Sequence, residues 1–378
     1  MAFKAGSYRP HNNYKCFVPS PVNVPFEWVD KRITPALAEA MHALGELNAA
    51  SETAPDIDSF LQMYITKEAV TSSHIEGTKT NIEEALLPAP EISVEKHNDW
   101  QEVKNYMEAT KWAVKELHSL PLSMRLLRGA HHHLMQGVRG QTKNPGEFRQ
   151  VQNWIGGPSP DKARYVPPNF VDIPDLLTDL ERSWHNDSLA VPPLILAAIS
   201  HYQFESIHPF LDGNGRTGRL LITLYLMHAK LLSQPTLYLS SFFDTYRDDY
   251  MDALNRVRTK NDMDFWVLFF LAGVKETAKD ARQTLRKVIE LKQMYEKRMS
   301  ESFGGRTDVA LRLLRFLFRS PMVNVKDAMK ALDITKPSAN TLVAKFVETG
   351  ILKETTGMKK DRIFSFQEYI ALFDSHRM

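Results

Sequence analysis

Cysteine is almost absent from this sequence, since Cys16 is the only one among 378 residues. A single cysteine cannot form a disulfide within the chain or a cysteine-rich zinc site, and its rarity is typical of a reducing compartment. Long apolar runs are also missing, because the most apolar stretch, LLITLYLM, ends at His228. We therefore expect no membrane-spanning segment and no membrane partner.

An excess of charge of either sign is lacking as well. With 47 Lys and Arg against 45 Asp and Glu, the formal net charge is +2. This balance argues against a dominant nucleic-acid or membrane surface, although a local basic patch remains compatible with it. The first thirty residues contain no apolar core of the kind found in signal peptides, so we expect a soluble, cytoplasmic protein.

Helical patterns dominate the chain after an extended arm at residues 1–30. A helical region at 31–118 includes a short helix near 66–77 that Gly77 should end, because glycine tolerates the left-handed turn after a helix. The stretch FRQVQNWIGGPSPDKARYVPP interrupts the helical patterns and predicts a β-hairpin. Further helices are predicted at about 92–118, 122–137, 172–186, 192–206 and 216–231.

The pattern changes after FGGR at 303–306, where we place a domain boundary. Three helical stretches, DVALRLLRFLF, NVKDAMKALDI and TKPSANTLVAKFVETG, precede two short alternating stretches, ILKETTG and DRIFSFQ. Three helices and a strand pair are typical of a winged helix-turn-helix domain, here at 304–378. The predicted fold is mainly α: a helical core with its connecting helix at 119–303, a small β-hairpin, and this C-terminal domain.

The glycine-rich stretch HPFLDGNGRTGRL, at 208–220, carries the strongest chemical signal. Its glycines match the G-x-G-x-x-G fingerprint of dinucleotide-binding folds and half-match a P-loop. The first motif needs an apolar strand before it, but a helical segment precedes this stretch. The second needs Lys and Ser or Thr after its last glycine, but Arg219 and Leu220 follow. The interpretation that remains is an anion-binding site at the start of a helix.

The residues of this stretch suit a polyphosphate. Gly213 and Gly215 allow successive backbone N–H groups to converge on an anion, and the following helix adds its positive dipole end. Arg216 and Arg219 project from one face of the first turns, where cations are unfavourable unless an anion offsets them. Asp212 is an oxygen ligand suited to Mg²⁺ that bridges phosphates.

His208 is the candidate general base, since an unperturbed imidazole titrates near neutral pH. Alone, a histidine before proline is more often structural, and an Asp-Gly-Asn-Gly run is usually a turn. Together, HPFLDGNGRTGR resembles in full the His-Pro-Phe-x-Asp-Gly-Asn-Gly-Arg-x-x-Arg signature of Fic domain proteins. The helix order, the N-terminal helical segment and the C-terminal winged helix also resemble that family.

The resemblance implies a Fic-type helical core that transfers AMP from ATP to a protein hydroxyl and releases pyrophosphate. His208 would deprotonate the attacking Ser, Thr or Tyr, and Asp212 would hold Mg²⁺ against the α- and β-phosphates. Arg216 would bind the β-phosphate and Arg219 the γ-phosphate. The remaining phosphate contacts would come from Gly213, Asn214 and Gly215.

Two further parts of the site follow from the same resemblance. Adenine would lie near Tyr246 and Tyr250, although the Tyr-Tyr pair common in the family is here Tyr250-Met251. The predicted hairpin would act as a flap that holds the protein target by strand addition. Its candidate strand is Lys162, Ala163, Arg164 and Tyr165.

A second motif, Ser72-x-x-x-Glu76-Gly77, resembles the inhibitory motif of Fic proteins. Glu76 lies at the expected end of a helix, where an acid is mildly unfavourable, so its position favours a cationic partner. Ser72 is on the same helix face. The resemblance implies a salt bridge from Glu76 to Arg219 that excludes the γ-phosphate, so that the protein inhibits itself.

Alternatives remain open for the reaction and for the last domain. Other Fic chemistry, namely removal of AMP or transfer of UMP or phosphate, would use the same scaffold. A DNA-binding regulator could use the core as a nucleotide sensor, although a sensor has no need of His208. The winged helix would bind DNA, or else a protein partner or a second copy of the chain. For DNA, the contacts would be Ser338, Asn340, Thr341 and Lys345 in the major groove, and Lys353, Lys359, Lys360 and Arg362 on phosphates.

Overall fold

The computed structural model describes residues 3–11, 13–137, 141–358 and 361–374. The segment expected as an extended arm pairs with itself, since β1 (Gly6–His11) and β2 (Tyr14–Pro19) are antiparallel. The last four residues of β2, Cys16 to Pro19, are buried, and they anchor this hairpin on the helical body. Phe17 N also donates to Val166 O at 2.9 Å, so this hairpin supports the end of the predicted flap.

The N-terminal helical region is built around a helix that is longer than the sequence pattern predicted. This helix, α2, begins at Ile57 and ends at Ile75. Gly77 follows with a φ of +102°, the left-handed position that glycine was expected to provide. The region comprises α1 (Ile33–Thr53), α2 (Ile57–Ile75), α3 (Ile82–Leu86) and α4 (His97–Glu116).

The core is arranged around a buried helix, α7, that precedes the glycine-rich stretch. Every residue of α7 from Leu194 to Ile207 is buried, as expected for a helix enclosed by other helices. Trp266 Nε1 donates to Ala198 O at 2.8 Å and joins α7 to the long connecting helix α11. The core helices are α5 (Met124–Leu134), α6 (Ile173–Trp184), α7 (Pro193–Ile207), α8 (Asn214–His228), α9 (Ser240–Thr245), α10 (Arg247–Lys260) and α11 (Met263–Ser302).

The flap at 148–168 folds back on itself, but its ladder is shorter than expected. Ile155 and Tyr165 form a single bridge, with N···O distances of 2.8 and 3.1 Å. Lys162 lies in a 3₁₀ turn at Pro160–Lys162 and not in a strand, because Pro160 fixes a φ that suits a helical turn. The candidate strand is therefore reduced to its second half, Arg164 and Tyr165.

The C-terminal region has the element order typical of a winged helix-turn-helix domain. Its strands form an antiparallel sheet in the order β3-β5-β4. The short β3 was not predicted, because three residues are too few to show an alternating pattern. The elements are α12 (Thr307–Arg319), β3 (Met322–Asn324), α13 (Val325–Leu332), α14 (Lys336–Glu348), β4 (Lys353–Glu354), β5 (Ile363–Ser365) and α15 (Gln367–Ala371).

Aromatic contacts join this C-terminal domain to α2. The ring centroids of Phe60 and Phe318 lie 5.7 Å apart, and those of Tyr64 and Phe373 lie 5.2 Å apart. The domain therefore shares its apolar core with the helix that leads to Glu76. Within the described ranges, no helix is both long and apolar enough to cross a membrane.

Candidate functional site

The glycine-rich stretch forms the turn between α7 and α8. His208 closes α7 in the left-handed conformation, with φ and ψ of 50° and 59°. Gly213 precedes α8 with a φ of +74°. The Asn214 side chain spans the turn, since its Oδ1 accepts from Phe210 N at 2.8 Å and its Nδ2 donates to Phe210 O at 2.9 Å. Asn214 was expected to contact phosphate, but its side chain braces the loop and only its backbone N–H is left for an anion.

His131, on α5, packs against this loop and holds its backbone. Its ring stacks on Phe210 at 3.7 Å, and its Nδ1 accepts from Gly146 N at 2.8 Å. Because Nδ1 accepts, Nε2 carries the proton and donates to Asp212 O at 3.0 Å. Burial lowers the pKa of His131 to about 4, which keeps the ring neutral. His131 is the first of three consecutive histidines, and the sequence alone does not show that it holds the loop.

Ser72 and Glu76, the two parts of the second motif, contact Arg219. Glu76 Oε1 lies 2.6 Å from Arg219 Nη2. Arg219 Nε donates to Ser72 Oγ at 2.8 Å, and its Nη2 donates to Ser72 O at 2.9 Å. Burial acts to raise the pKa of Glu76, but the charge and the hydrogen bond of Arg219, together with the charge of Arg216, outweigh it and leave that pKa below its usual range. The structure thus brings together the three side chains that the sequence related only by resemblance.

Gly215 leaves the space that the Glu76 carboxylate occupies. A Cβ at Gly215 would overlap Glu76 Oε1 and would lie 3.0 Å from Arg219 Nη1. The carboxylate therefore rests directly on the first turn of α8. This is the place where the loop geometry predicts a bound anion.

Arg216, the other arginine of the motif, is also paired with a carboxylate. Its Nη1 lies 3.0 Å from Glu102 Oε2, and its Nη2 lies 3.8 Å from Asp212 Oδ1. Glu102 belongs to α4 and gave no signal in the sequence. Both arginines expected to bind phosphate are thus engaged by acids from the N-terminal helical region.

His208 presents a neutral imidazole to the cleft. Its Nδ1 is buried and lies 4.0 Å from Glu205 Oε2, which leaves Nε2 towards the cleft. Burial, followed by the positive charge of Arg149, lowers the pKa of His208 to about 4. Burial likewise raises the pKa of Glu205 to about 7. A neutral imidazole is the form that accepts a proton.

A cleft of ≈ 370 Å³ connects His208, Glu76 and the flap. This volume lies within the range of small-molecule sites. His208, Glu76 and Arg219 lie on one side of it. The other sides are formed by Trp154, Ile155 and Gly156 of the flap and by Met251, Leu254 and Asn255 of α10.

The two tyrosines expected near adenine differ in their relation to the cleft, since Tyr250 lines it and Tyr246 does not. Tyr250 is buried, its ring stacks on Phe243 at 4.4 Å, and its hydroxyl lies 2.8 Å from His201 Nε2. Tyr246 is partly exposed, but it packs on Phe242 and does not line the cleft. Tyr250 therefore both lines the cleft and packs in the aromatic core of α9 and α10, and the place of the two rings near adenine stays a prediction.

Asp212 fits a magnesium ion that is held mainly by phosphates. Its side chain is 45% exposed, and its Oδ1 accepts from Gly213 N at 2.6 Å. The described residues contain no group of three or more His, Cys, Asp or Glu suited to a metal. Mg²⁺ commonly keeps its waters and takes only one or two carboxylates, so a single aspartate is a sufficient donor set.

Family models match the chain over the regions that build this site. The model of the Fic/DOC family N-terminal region matches residues 34–115, and that of the Fic/DOC family matches residues 121–226. The chain belongs to the Fic/DOC family. The range matched by the second model includes the whole glycine-rich stretch, and the range matched by the first includes Ser72, Glu76 and Glu102.

Curated relatives include proteins named protein adenylyltransferase Fic. The protein from Drosophila grimshawi is 29% identical over 194 residues, which cover 50% of this Fic chain and 38% of that protein. The protein from Drosophila ananassae is 30% identical over 194 residues, covering 50% and 36%. The chain therefore matches well under half the length of these relatives.

Solved structures confirm the Fic fold. A Fic family protein from Desulfovibrio desulfuricans G20 has a TM-score of 0.56 and 22% identity, and the match covers 90% of this chain and 98% of that one. A Fic domain containing signaling protein from Bacteroides thetaiotaomicron VPI-5482 has a TM-score of 0.53 and 19% identity, covering 69% and 97%.

We expect Gly215→Ala to destabilise the wild-type protein by about 1–3 kcal/mol, because the added methyl group displaces Glu76 from Arg219. In a Glu76→Gly background the same change should be neutral, or stabilising by up to about 1 kcal/mol, since alanine favours helix more than glycine does. Denaturant unfolding of all four proteins measures this coupling.

Gly218→Ala is the matched control, because a Cβ there would meet Glu205 and Phe204 and not Glu76. Its cost should be the same in both backgrounds. Strictly additive effects of Gly215→Ala and Glu76→Gly would show that the carboxylate does not rest on Gly215.

Proposed function

We propose that this Fic protein is a protein adenylyltransferase that moves AMP from ATP to a Ser, Thr or Tyr hydroxyl of a protein, itself included, and restrains itself through Glu76. The observation that carries the proposal is a neutral His208 in the same cleft as the anion-binding start of α8. The curated relatives named protein adenylyltransferase Fic support the reaction class.

In this reaction the hydroxyl oxygen attacks the α-phosphorus, the bond from that phosphorus to the β-phosphate oxygen breaks, and pyrophosphate leaves with the bonding electrons. His208 Nε2 takes the hydroxyl proton. The N–H groups at the start of α8 and the guanidinium of Arg216 face the negative charge of the phosphates. Asp212 would hold Mg²⁺, which lowers that charge when bound.

Self-inhibition follows from competition for Arg219. The Arg219 guanidinium is 2% exposed and already has Glu76 and Ser72 as partners. A γ-phosphate needs the place that the carboxylate occupies, so Glu76 has to leave before ATP binds productively. Arg216 must likewise exchange Glu102 for phosphate oxygens.

The flap would hold the protein target beside His208. Trp154 and Ile155 are partly exposed on it, and among the described residues the Arg164 side chain is paired only with the exposed Asp252, at 3.2 Å. A backbone segment that adds to Arg164 and Tyr165 would pass along the cleft that contains the base. The target hydroxyl would then face His208.

The partner of the winged helix remains a prediction, either DNA, another protein or a second copy of the chain. Ser338, Asn340 and Thr341 are exposed on α14, as a DNA-binding helix requires. Lys345, expected in the same groove, lies over the Phe303 ring at 5.2 Å. Lys359 and Lys360 lie outside the described residues.

Incubation with ATP labelled at the α- or γ-phosphate tests the reaction, because only AMP transfer leaves the α label on protein. His208→Ala should lower α-label incorporation by about 10²–10⁴-fold and leave ATP binding nearly unchanged. His132→Ala, at an exposed position on α5, is the control. A γ label on protein would indicate phosphate transfer instead, and wild-type labelling by His208→Ala would exclude His208 as the base.

Glu76→Gly should raise the initial rate of AMP transfer by about 5- to 150-fold, which corresponds to a bias of about 1–3 kcal/mol. Arg219→Ala deletes the same salt bridge but should not activate, because Arg219 must bind the γ-phosphate once Glu76 has left. The double variant should also be slow. Equal activation by both single changes would show that Arg219 only anchors the glutamate.

A further inference from the structure

Arg149 is buried between the flap and the loop that begins with His208. Its Nε donates to His208 O at 3.0 Å, its Nη1 to Val151 O at 3.1 Å, and its Nη2 to Pro168 O at 2.6 Å. Its backbone N–H donates to Pro209 O at 2.9 Å. Val151 and Pro168 lie near the two ends of the flap, so one side chain joins both ends to the loop.

This guanidinium has backbone carbonyls as partners where a buried arginine normally has a carboxylate. Arg149 is 3% exposed, and among the described residues its side-chain hydrogen-bond partners are the backbone carbonyls of His208, Val151, Pro168 and Ile207. Burial lowers its pKa to about 10, so it remains charged at neutral pH. An unpaired buried charge is costly. A neutral side chain would be enough for packing alone. The positive charge of Arg149 and its several N–H donors therefore need another explanation.

The backbone of His208 supplies part of that explanation. His208 is not glycine, yet it has a φ of +50°, and such a conformation persists only where its surroundings impose it. Its N–H donates to Phe204 O at 2.9 Å, and its carbonyl accepts from Arg149 Nε. The peptide groups on both sides of the base are therefore held, one by α7 and the other by Arg149.

We propose that Arg149 is a positioning residue for the transfer reaction, which holds the base and both ends of the target-binding flap in one fixed relation. The inference rests on the proposed adenylyl transfer. Arg149 does not line the cleft, so it acts on the reaction through His208 and the flap and not by contact with nucleotide or target.

The charge of Arg149 also affects proton binding by His208. The charged or titratable groups facing the imidazole are Glu205 on α7, Glu76 after α2, Arg258 on α10 and Arg149. Glu76 favours the protonated ring, whereas Arg149 and Arg258 oppose it. Removal of the Arg149 charge should therefore raise the pKa of His208. Because the base must be neutral, the acid limb of the rate should then move to higher pH.

Two variants separate charge from geometry. Arg149→Gln removes the charge, whereas Arg149→Lys keeps it but cannot reach three separate carbonyls. Both should lower the kcat of AMP transfer in the Glu76→Gly background by about 10- to 100-fold and leave the KM for ATP almost unchanged. Arg125→Gln, at an exposed position on α5, is the control.

Proton binding by His208 is measured directly by NMR titration of full-length protein labelled in histidine, with His208→Ala to assign the signal. Arg149→Gln should shift the midpoint upward by about one pH unit, a tenfold change in the protonation equilibrium, and Arg149→Lys should leave it in place. This readout needs no catalysis. A shifted midpoint without AMP transfer by any variant would contradict the proposed function but support the contact between Arg149 and the base.

Wild-type kcat and an unchanged midpoint in Arg149→Gln would overturn the inference. If circular dichroism shows that Arg149→Gln is unfolded, the inference is tested with Arg149→Lys instead. Its kcat should fall while its melting temperature and its His208 midpoint remain close to those of the parent. A kcat loss in Arg149→Lys that is matched by an equal loss of ATP binding would show a merely structural role.

Discussion

Arg219 is a buried cation in the first turns of a helix, and such a cation needs a negative partner. The site of this Fic protein is arranged around that requirement. The guanidinium is 2% exposed, and the dipole of α8 adds positive charge beside it. In the described structure, Glu76 meets the requirement through a 2.6 Å contact and rests on Gly215. A carboxylate and a phosphate cannot occupy this place together, so under the proposed function the resting and active arrangements are two ways to neutralise one charge.

The rest of the molecule positions the partners in that exchange. α2 places Glu76 at its C-terminal end, and ring contacts from Phe60 to Phe318 attach the same helix to the C-terminal domain. His208 is held from the opposite side of the loop, by α7 and by the carbonyl contact with Arg149. The location of Glu76 therefore depends on packing far from the cleft, whereas the location of His208 depends on the flap.

The sequence predicts this site best where the functional residues are close together in the chain. His208, Arg216 and Arg219 lie within one short stretch, and glycine spacing and helix periodicity are enough to place an anion site there. Partners distant in the chain left no such signal: Glu102 lies 114 residues from Arg216, and Arg149 lies 59 residues from His208. The pattern also could not show which aromatic rings line the cleft, since Tyr250 lines it while stacking on Phe243, whereas Tyr246 packs on Phe242 outside it.

Calorimetric titration of ATP and of AMP into the wild type and Glu76→Gly tests the competition at Arg219 most directly. If Glu76 occupies only the γ-phosphate position, its removal should raise the affinity for ATP by about 5- to 150-fold and leave the affinity for AMP almost unchanged. An equal gain for both nucleotides would mean that Glu76 blocks the whole cleft. No gain for ATP would contradict the competition between carboxylate and phosphate.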